Sequence, residues 1–269
     1  MEELIKIIIL GIIEGITEFL PISSTGHLIV FSQLLNSEMG KLGGTFEIFI
    51  QLGAVVAVFI YYFSDIRKQV LTVHKDPSVQ RLWINIIIAS VPAAIVGFLL
   101  RDFVKETFFN PLTIAITLII GGVLFIFIER TPRPVLADQT LASITPKQAG
   151  IIGIFQTLAF IPGVSRSGAT IIGGLLNGVN RSVITHFSFY LAIPILGGAT
   201  ILDLLFSLDE LQSGDMLYLL IGAFVSGVVA WVSIRWLLTY ISKNSFVVFG
   251  YYRILAGLII LILLIMNVL

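Results

Sequence analysis

Glu14-Gly15-Ile16-Thr17-Glu18-Phe19-Leu20-Pro21-Ile22-Ser23-Ser24-Thr25-Gly26-His27 breaks an apolar run that begins near the first residue of the chain. Half a chain later, Gln156-Thr157-Leu158-Ala159-Phe160-Ile161-Pro162-Gly163-Val164-Ser165-Arg166-Ser167-Gly168-Ala169-Thr170 has nearly the same grammar. In both, a hydrophobic run breaks at a proline, spills hydroxyls and resumes as a second hydrophobic run. Two carboxylates, a histidine, an arginine and six hydroxyls after the prolines thereby lie in segments that otherwise read as membrane. Ionisable groups at membrane depth are costly and mark function. A paired break of this kind also points to an internal duplication.

The composition agrees. Of 269 residues, 57% are hydrophobic and 12% charged, where a soluble domain carries roughly a quarter charged residues. The chain reads as an integral membrane protein. Its 16 basic and 16 acidic residues cancel, which argues against a nucleic-acid partner. The absence of cysteine removes disulfides, thiolate nucleophiles and cysteine metal sites together. Glu2, Glu3, Glu14 and Glu18 make the first apolar run a poor signal peptide.

Crossing a hydrocarbon core takes about 20 apolar residues as helix. Six runs qualify, near 46–63, 82–100, 111–129, 184–206, 216–239 and 250–268. The runs 4–20 and 147–161 are short or broken, and each is followed by a loop and a second short piece, 28–35 and 169–177. A bare loop facing lipid strands its backbone groups, so such a break belongs inside protein or a wet cavity. The predicted fold is an all-α polytopic membrane protein with six transmembrane helices plus two re-entrant helix hairpins. Each half, 1–135 and 136–269, is one hairpin and three spans. Three is odd, so the halves form an inverted-topology repeat within a single membrane domain, and the two loops approach each other near the midplane. The alignment of Ser23-Ser24-Thr25-Gly26 with Ser165-Arg166-Ser167-Gly168 needs one inserted residue after the proline. Phe46-Glu47 then falls opposite Phe187-Ser188. Arg67, Lys68, Lys75, Arg81, Arg130, Arg133, Lys147, Arg181 and Lys243 lie on one side; Lys6, Lys41, Arg101 and Lys105 lie on the other. The basic side is expected to be cytoplasmic, with both termini outside.

Glu14 and Glu18 are four residues apart and share a helical face, with side chains within about 6 Å of each other. Both cannot ionise cheaply in an apolar setting. That suits a general base or a divalent-ion site, and equally a protonated carboxyl satisfied by the loop. His27 stands beside Ser23, Ser24 and Thr25, which supplies the parts of an activated hydroxyl nucleophile; a structural hydrogen bond is the other reading. Arg166, among Ser165, Ser167 and Thr170 at a helix start, reads as an oxyanion cradle for phosphate or pyrophosphate. Its alternative is a bridge to Glu14 or Glu18 across the repeat interface. Glu47 and Gln51 share a face and could reach the site, and Arg253 after Tyr251 and Tyr252 reads as an acid partner or an interfacial anchor. His74 and His186 lack such neighbours and are assigned no role. No GxxxxGK[ST] or HExxH motif is present, and the histidine and aspartate spacing of the type-2 phosphatidic acid phosphatases is missing after Arg166.

With these residues in hand, Glu14-Gly-x-Thr-Glu18-Phe-x-Pro-x-Ser-Ser-Thr-Gly-His27 and Pro162-Gly-x-Ser-Arg-Ser-Gly-Ala-Thr170 resemble the two signature motifs of the undecaprenyl-diphosphate phosphatases, the bacitracin-resistance family. Phe46-Glu47-x-x-Ile-Gln51-Leu-Gly and Tyr252-Arg253 extend the resemblance over essentially the whole chain. It implies hydrolysis of undecaprenyl diphosphate to the monophosphate and inorganic phosphate in a bacterial plasma (inner) membrane, usually with a divalent cation, Mg²⁺ or Ca²⁺. Carried onto this chain, it makes Ser24 the nucleophile and Glu18 its activator. Glu14 becomes a second base or, with Glu18, a metal ligand, and His27 assists the leaving group. Arg166, Ser23, Thr25, Ser165, Ser167 and Thr170 would hold the diphosphate. The rival is a secondary transporter or flippase for a polyprenyl phosphate or another anion, because inverted repeats with broken helices are a transporter architecture. The sequence fixes no oligomeric state and is compatible with a homodimer.

Overall fold

The computed structural model describes residues 2–37, 45–131, 138–207 and 215–269, and of residues 45, 47, 101, 102, 105, 203–207 and 215 the backbone alone. Lys41 and Arg133, used above for orientation, lie outside the described residues, as do the side chains of Glu47, Arg101 and Lys105. All the regular structure described is helical. In chain order the α-helices are α1 (Glu2–Thr17), α2 (Ser24–Leu34), α3 (Thr45–Tyr61), α4 (Phe63–Thr72), α5 (Pro77–Phe108), α6 (Pro111–Arg130), α7 (Pro146–Thr157), α8 (Arg166–Leu176), α9 (Arg181–Ser207), α10 (Asp215–Ile241) and α11 (Val247–Ile265).

The starts of three helices follow directly from local sequence. Asp76-Pro77, Asn110-Pro111 and Thr145-Pro146 each place a side-chain acceptor at the N-cap and a proline in the first turn. There the missing proline N–H costs nothing, and the cap satisfies a donor the helix leaves open. Thr145 and Gln148 close a reciprocal capping box.

Among the described residues, five helices are long and apolar enough to span a membrane, with a sixth if α3 and α4 are taken as one bent span. They coincide with the six runs expected from hydropathy. One boundary moves: α3 ends at Tyr61, and the chain turns by 67° into α4. No proline or glycine marks that turn. The cause is the polarity of α4, where Asp65, Arg67 and Lys68 cannot continue into hydrocarbon. The outer surface is apolar, with Phe98 81% and Phe224 73% exposed, whereas Glu14 and Arg253 are 0% exposed. That inverted polarity, together with the spans, makes this a multi-pass membrane protein.

Packing brings the two halves together. α1 and α3 lie against α10, while α7 and α9 lie against α5; α3 meets α9, and α6 meets α11. Close approach depends on glycine: a Cβ on Gly15 of α1 would sit 2.6 Å from the Ser226 carbonyl oxygen of α10, and one on Gly153 of α7 equally close to the Ala89 carbonyl oxygen of α5. Between α1 and α2, and between α7 and α8, the chain breaks at Pro21 and Pro162, and the helices of each pair pack on one another.

Candidate active site

Both breaks end on a serine with left-handed backbone. Ser23 has φ 72° and Ser165 φ 74°. A β-carbon disfavours this region, and each such residue costs on the order of 1–3 kcal/mol. Each serine caps the helix that follows, accepting from Gly26 N–H at 3.3 Å and Gly168 N–H at 3.1 Å. The next residues, Ser24 and Arg166, are therefore the first of α2 and α8, held at matching positions.

These two side chains meet on one carboxylate. The Ser24 hydroxyl donates to Glu18 Oε2 at 2.5 Å, and Arg166 Nη2 donates to Glu18 Oε1 at 2.8 Å. Arg166 Nη1 donates to the Ser188 carbonyl at 2.8 Å and reaches its hydroxyl at 3.2 Å. Phe19 lies under the guanidinium, 5.8 Å from ring centre to Cζ. Glu18 is 5% exposed and Ser24 5%, so this line of serine, carboxylate and guanidinium is sheltered from bulk solvent. The Arg166 Nε–H is buried and has no hydrogen-bond partner among the described residues. A buried donor of this kind calls for an acceptor.

His27 is spoken for at both nitrogens. Nδ1 lies 2.7 Å from the Ser23 carbonyl, and Nε2 lies 2.7 Å from the Tyr252 hydroxyl. A carbonyl only accepts, so Nδ1 carries the proton; in the neutral ring Nε2 then accepts from Tyr252. The two rings also stack, with 5.7 Å between centroids and 13° between planes. His27 thus braces the strained Ser23 peptide, immediately before Ser24.

Arg253, fully buried on α11, clasps both loops. Its Nη1 donates to the carbonyls of Pro21 at 2.9 Å and Val164 at 3.1 Å. Its Nη2 donates to the carbonyls of Gly163 at 2.9 Å and Thr117 at 3.2 Å. Thr117 adds a bond from its hydroxyl to the Pro162 carbonyl at 2.7 Å. The sequence offered an acid partner or an interfacial anchor for Arg253. Neither is its role here, because its acceptors are backbone carbonyls.

The remaining candidates divide. Ser167 donates to the Leu20 carbonyl at 3.0 Å, which leaves Ser165 to donate to Ser167 across 3.0 Å. Thr170 donates to the Arg166 carbonyl at 2.9 Å. The Ser167 hydroxyl thus ties the second loop to the first, while the Thr170 hydroxyl bonds back within α8. Thr25 is half-buried in the first turn of α2, and Glu14 is fully buried one turn before Glu18. Ser188, Thr117 and Tyr252 went unremarked as site residues. Ser188 could have been suspected from its alignment with Glu47, and Tyr252 from its place beside an arginine inside an apolar run. Among the described residues no three of His, Asp and Glu come together as a metal cluster. Carboxylate oxygens are the donor type that a hard cation takes, and Mg²⁺ is commonly held by one or two of them with substrate phosphates completing the shell.

The fold and site define a polytopic helical membrane protein with a buried, hydrogen-bonded hydroxyl, carboxylate and guanidinium at the meeting point of two broken helices. Residues 7–259 match the family described as bacitracin resistance protein BacA. Relatives named undecaprenyl-diphosphatase are similar over nearly their full lengths. The protein of Albidiferax ferrireducens is 44% identical over 261 residues, 96% of this chain and 94% of its own. That of Acetivibrio thermocellus is 42% identical over 268 residues, 97% and 98%, and that of Fusobacterium nucleatum 44% over 266 residues, 96% and 99%. The chain belongs to the bacitracin resistance protein BacA family.

Proposed function

We propose that this protein hydrolyses undecaprenyl diphosphate to undecaprenyl phosphate and inorganic phosphate in the bacterial plasma (inner) membrane, returning the lipid carrier to cell-wall synthesis and conferring bacitracin resistance. The observation that carries this reading to particular residues is the hydrogen-bonded line from Ser24 through Glu18 to Arg166. The Ser24 Oγ attacks the terminal phosphorus as its proton passes to Glu18; the bridging P–O bond breaks, and undecaprenyl phosphate leaves. Glu18 gives that proton to the departing phosphate oxygen. The regained carboxylate then takes a proton from water, whose oxygen attacks the phosphorus, and returns it to Ser24 Oγ as the serine–phosphate bond breaks and inorganic phosphate leaves. Arg166 turns from Glu18 toward the phosphoryl oxygens, where a guanidinium binds bidentately. Its buried Nε–H supports that role. Positioning and charge stabilisation supply most of the catalysis, as in phosphoryl transfer generally. His27 holds the Ser23–Ser24 peptide and stands near the leaving group, and Thr25, Ser23 and Ser165 line the cradle. A divalent cation on Glu18, with Glu14 behind it, would neutralise diphosphate charge.

The same reading assigns an inverted-topology repeat, 1–135 and 136–269, with α1–α2 and α7–α8 as re-entrant hairpins and both termini outside. What supports it is the exchange pattern of the main packing contacts: α1 on α10 is matched by α7 on α5, and α3 on α10 by α9 on α5, while α3–α9 and α6–α11 pair across the two halves. The twin left-handed serine caps and the buried pair Phe46 and Phe187 support it as well. The transporter reading is not favoured, because the relatives carry the name of an enzyme. The test is phosphate release from undecaprenyl diphosphate in detergent, with Mg²⁺ or Ca²⁺ and without. Loss of release in Glu18→Gln and Arg166→Ala upholds the site; undiminished release in both rejects it.

A further inference from the structure

The last turn of α6 carries a feature that the loops do not use. A groove of about 470 Å³ runs along it, walled by Val123, Ile126 and Phe127 and headed by Arg130 and Thr131. Phe127 is 67% exposed, so the groove opens outward, where the bilayer lies. Arg130 Nη2 donates to the Tyr251 hydroxyl at 2.6 Å, which holds the guanidinium across the seam between α6 and α11. Tyr251 accepts that bond and keeps its own O–H to give elsewhere. The neighbouring carboxylate is committed: Glu129 accepts from Arg181 at 2.8 and 2.9 Å and from the Phe246 N–H at 3.2 Å.

We propose that this groove binds the phosphate of an anionic phospholipid, with one acyl chain lying in the apolar channel. The Arg130 guanidinium heads the groove with the Tyr251 hydroxyl 2.6 Å from its Nη2, and phosphate oxygens match both groups. Below Arg130 and Thr131 the described lining is the hydrocarbon of Val123, Ile126 and Phe127, which suits a chain and not a free ion. Basic pockets between transmembrane helices at the cytoplasmic side are a recurrent form of lipid headgroup site. Arg235 makes the contrast: it is also exposed on a span, but its guanidinium lies over the Trp231 ring at 4.8 Å, where the ring face already serves the charge. The two residues that follow Tyr251 are Tyr252 and Arg253, so an occupied groove braces the turn of α11 that holds the loops.

The test is native mass spectrometry of the delipidated full chain titrated with phosphatidylglycerol, phosphatidylcholine or inorganic phosphate. The expected result is one phosphatidylglycerol retained about tenfold more tightly than phosphatidylcholine. Arg130→Gln abolishes that preference, Tyr251→Phe lowers it about fivefold, the scale of one ordinary net hydrogen bond, and Arg235→Gln leaves it intact. Tyr251→Phe removes one exposed oxygen and serves if Arg130→Gln misfolds, which the unfolding midpoint in lipid-free detergent reports. Equal phosphatidylglycerol retention in wild type and Tyr251→Phe overturns the proposal. So does displacement of the lipid by millimolar inorganic phosphate, which would make the ligand a free anion.

Discussion

Replacing Arg253 with methionine keeps the stem and removes the clasp. Four carbonyls, those of Pro21, Gly163, Val164 and Thr117, lose their donor at once. A hydrogen bond to a charged group contributes about 1.5–3 kcal/mol net. Two of the four left unmet therefore cost about 3–6 kcal/mol, in the range reserved for broken buried networks. The left-handed peptides at Ser23 and Ser165 hold on the order of 1–3 kcal/mol of strain each, and with the clasp gone the loops relax to shed it. Ser24 and Arg166 are the residues next to those two serines, so relaxation moves the reacting groups themselves. A loss of only about 2.7 kcal/mol in the transition state is a hundredfold in rate. The expected result for Arg253→Met is a kcat at least a hundredfold down, a lower unfolding midpoint and retained helix content. Arg253→Lys keeps the charge, but a point ammonium cannot span carbonyls from two loops, so it recovers only part of the rate. Phosphate release and differential scanning fluorimetry in detergent measure both. A variant lacking the guanidinium with kcat within threefold of wild type would refute the reasoning.

Ser24→Ala is expected to abolish turnover with an unchanged unfolding midpoint, while Ser23→Ala, which loses a helix cap and a cradle hydroxyl, lowers the rate and the midpoint without abolishing turnover; peptide mapping of a quenched reaction should find phosphate on Ser24 and on no other residue. Glu18→Gln leaves the Arg166 charge buried without its carboxylate, which costs about 3–5 kcal/mol where a buried pair is broken, so midpoint and rate should fall together. Gly15→Val forces a β-carbon against the Ser226 carbonyl and should destabilise by about 1–3 kcal/mol, as overpacking does; unfolding with urea in detergent would show it, and an unchanged midpoint would mean that α1 and α10 are not so closely packed. Tyr252→Phe removes the hydroxyl at His27 Nε2 and should lower kcat about fivefold, on the scale of one buried hydrogen bond, with KM little changed.

Hydropathy and the breaks are local properties, and that is why the spans and the two Pro/Ser loops could be read from the chain. The pairing of Ser24 with Glu18 was implied by the family resemblance; the residues alone showed hydroxyls, carboxylates and His27 gathered around one turn. Arg166 was read as cradle or bridge, and in this state it is the bridge. Arg253 resisted, because its acceptors are backbone carbonyls 89 to 232 residues distant, and a carbonyl leaves no residue-type signature. The bend at Tyr62 resisted for a related reason: it is set by where charge meets the membrane boundary, not by a breaker. The spending of Ser167 on the Leu20 carbonyl depends on how the two loops meet, which pattern alone does not convey.

The central claim is that Ser24, Glu18 and Arg166 form one phosphoryl-transfer site. It is tested most directly by following inorganic phosphate from undecaprenyl diphosphate in detergent under single-turnover conditions, with wild type beside Ser24→Ala. The account expects a metal-stimulated burst of undecaprenyl phosphate ahead of inorganic phosphate in wild type and neither product in Ser24→Ala. Both products forming at the wild-type rate in folded Ser24→Ala would contradict it.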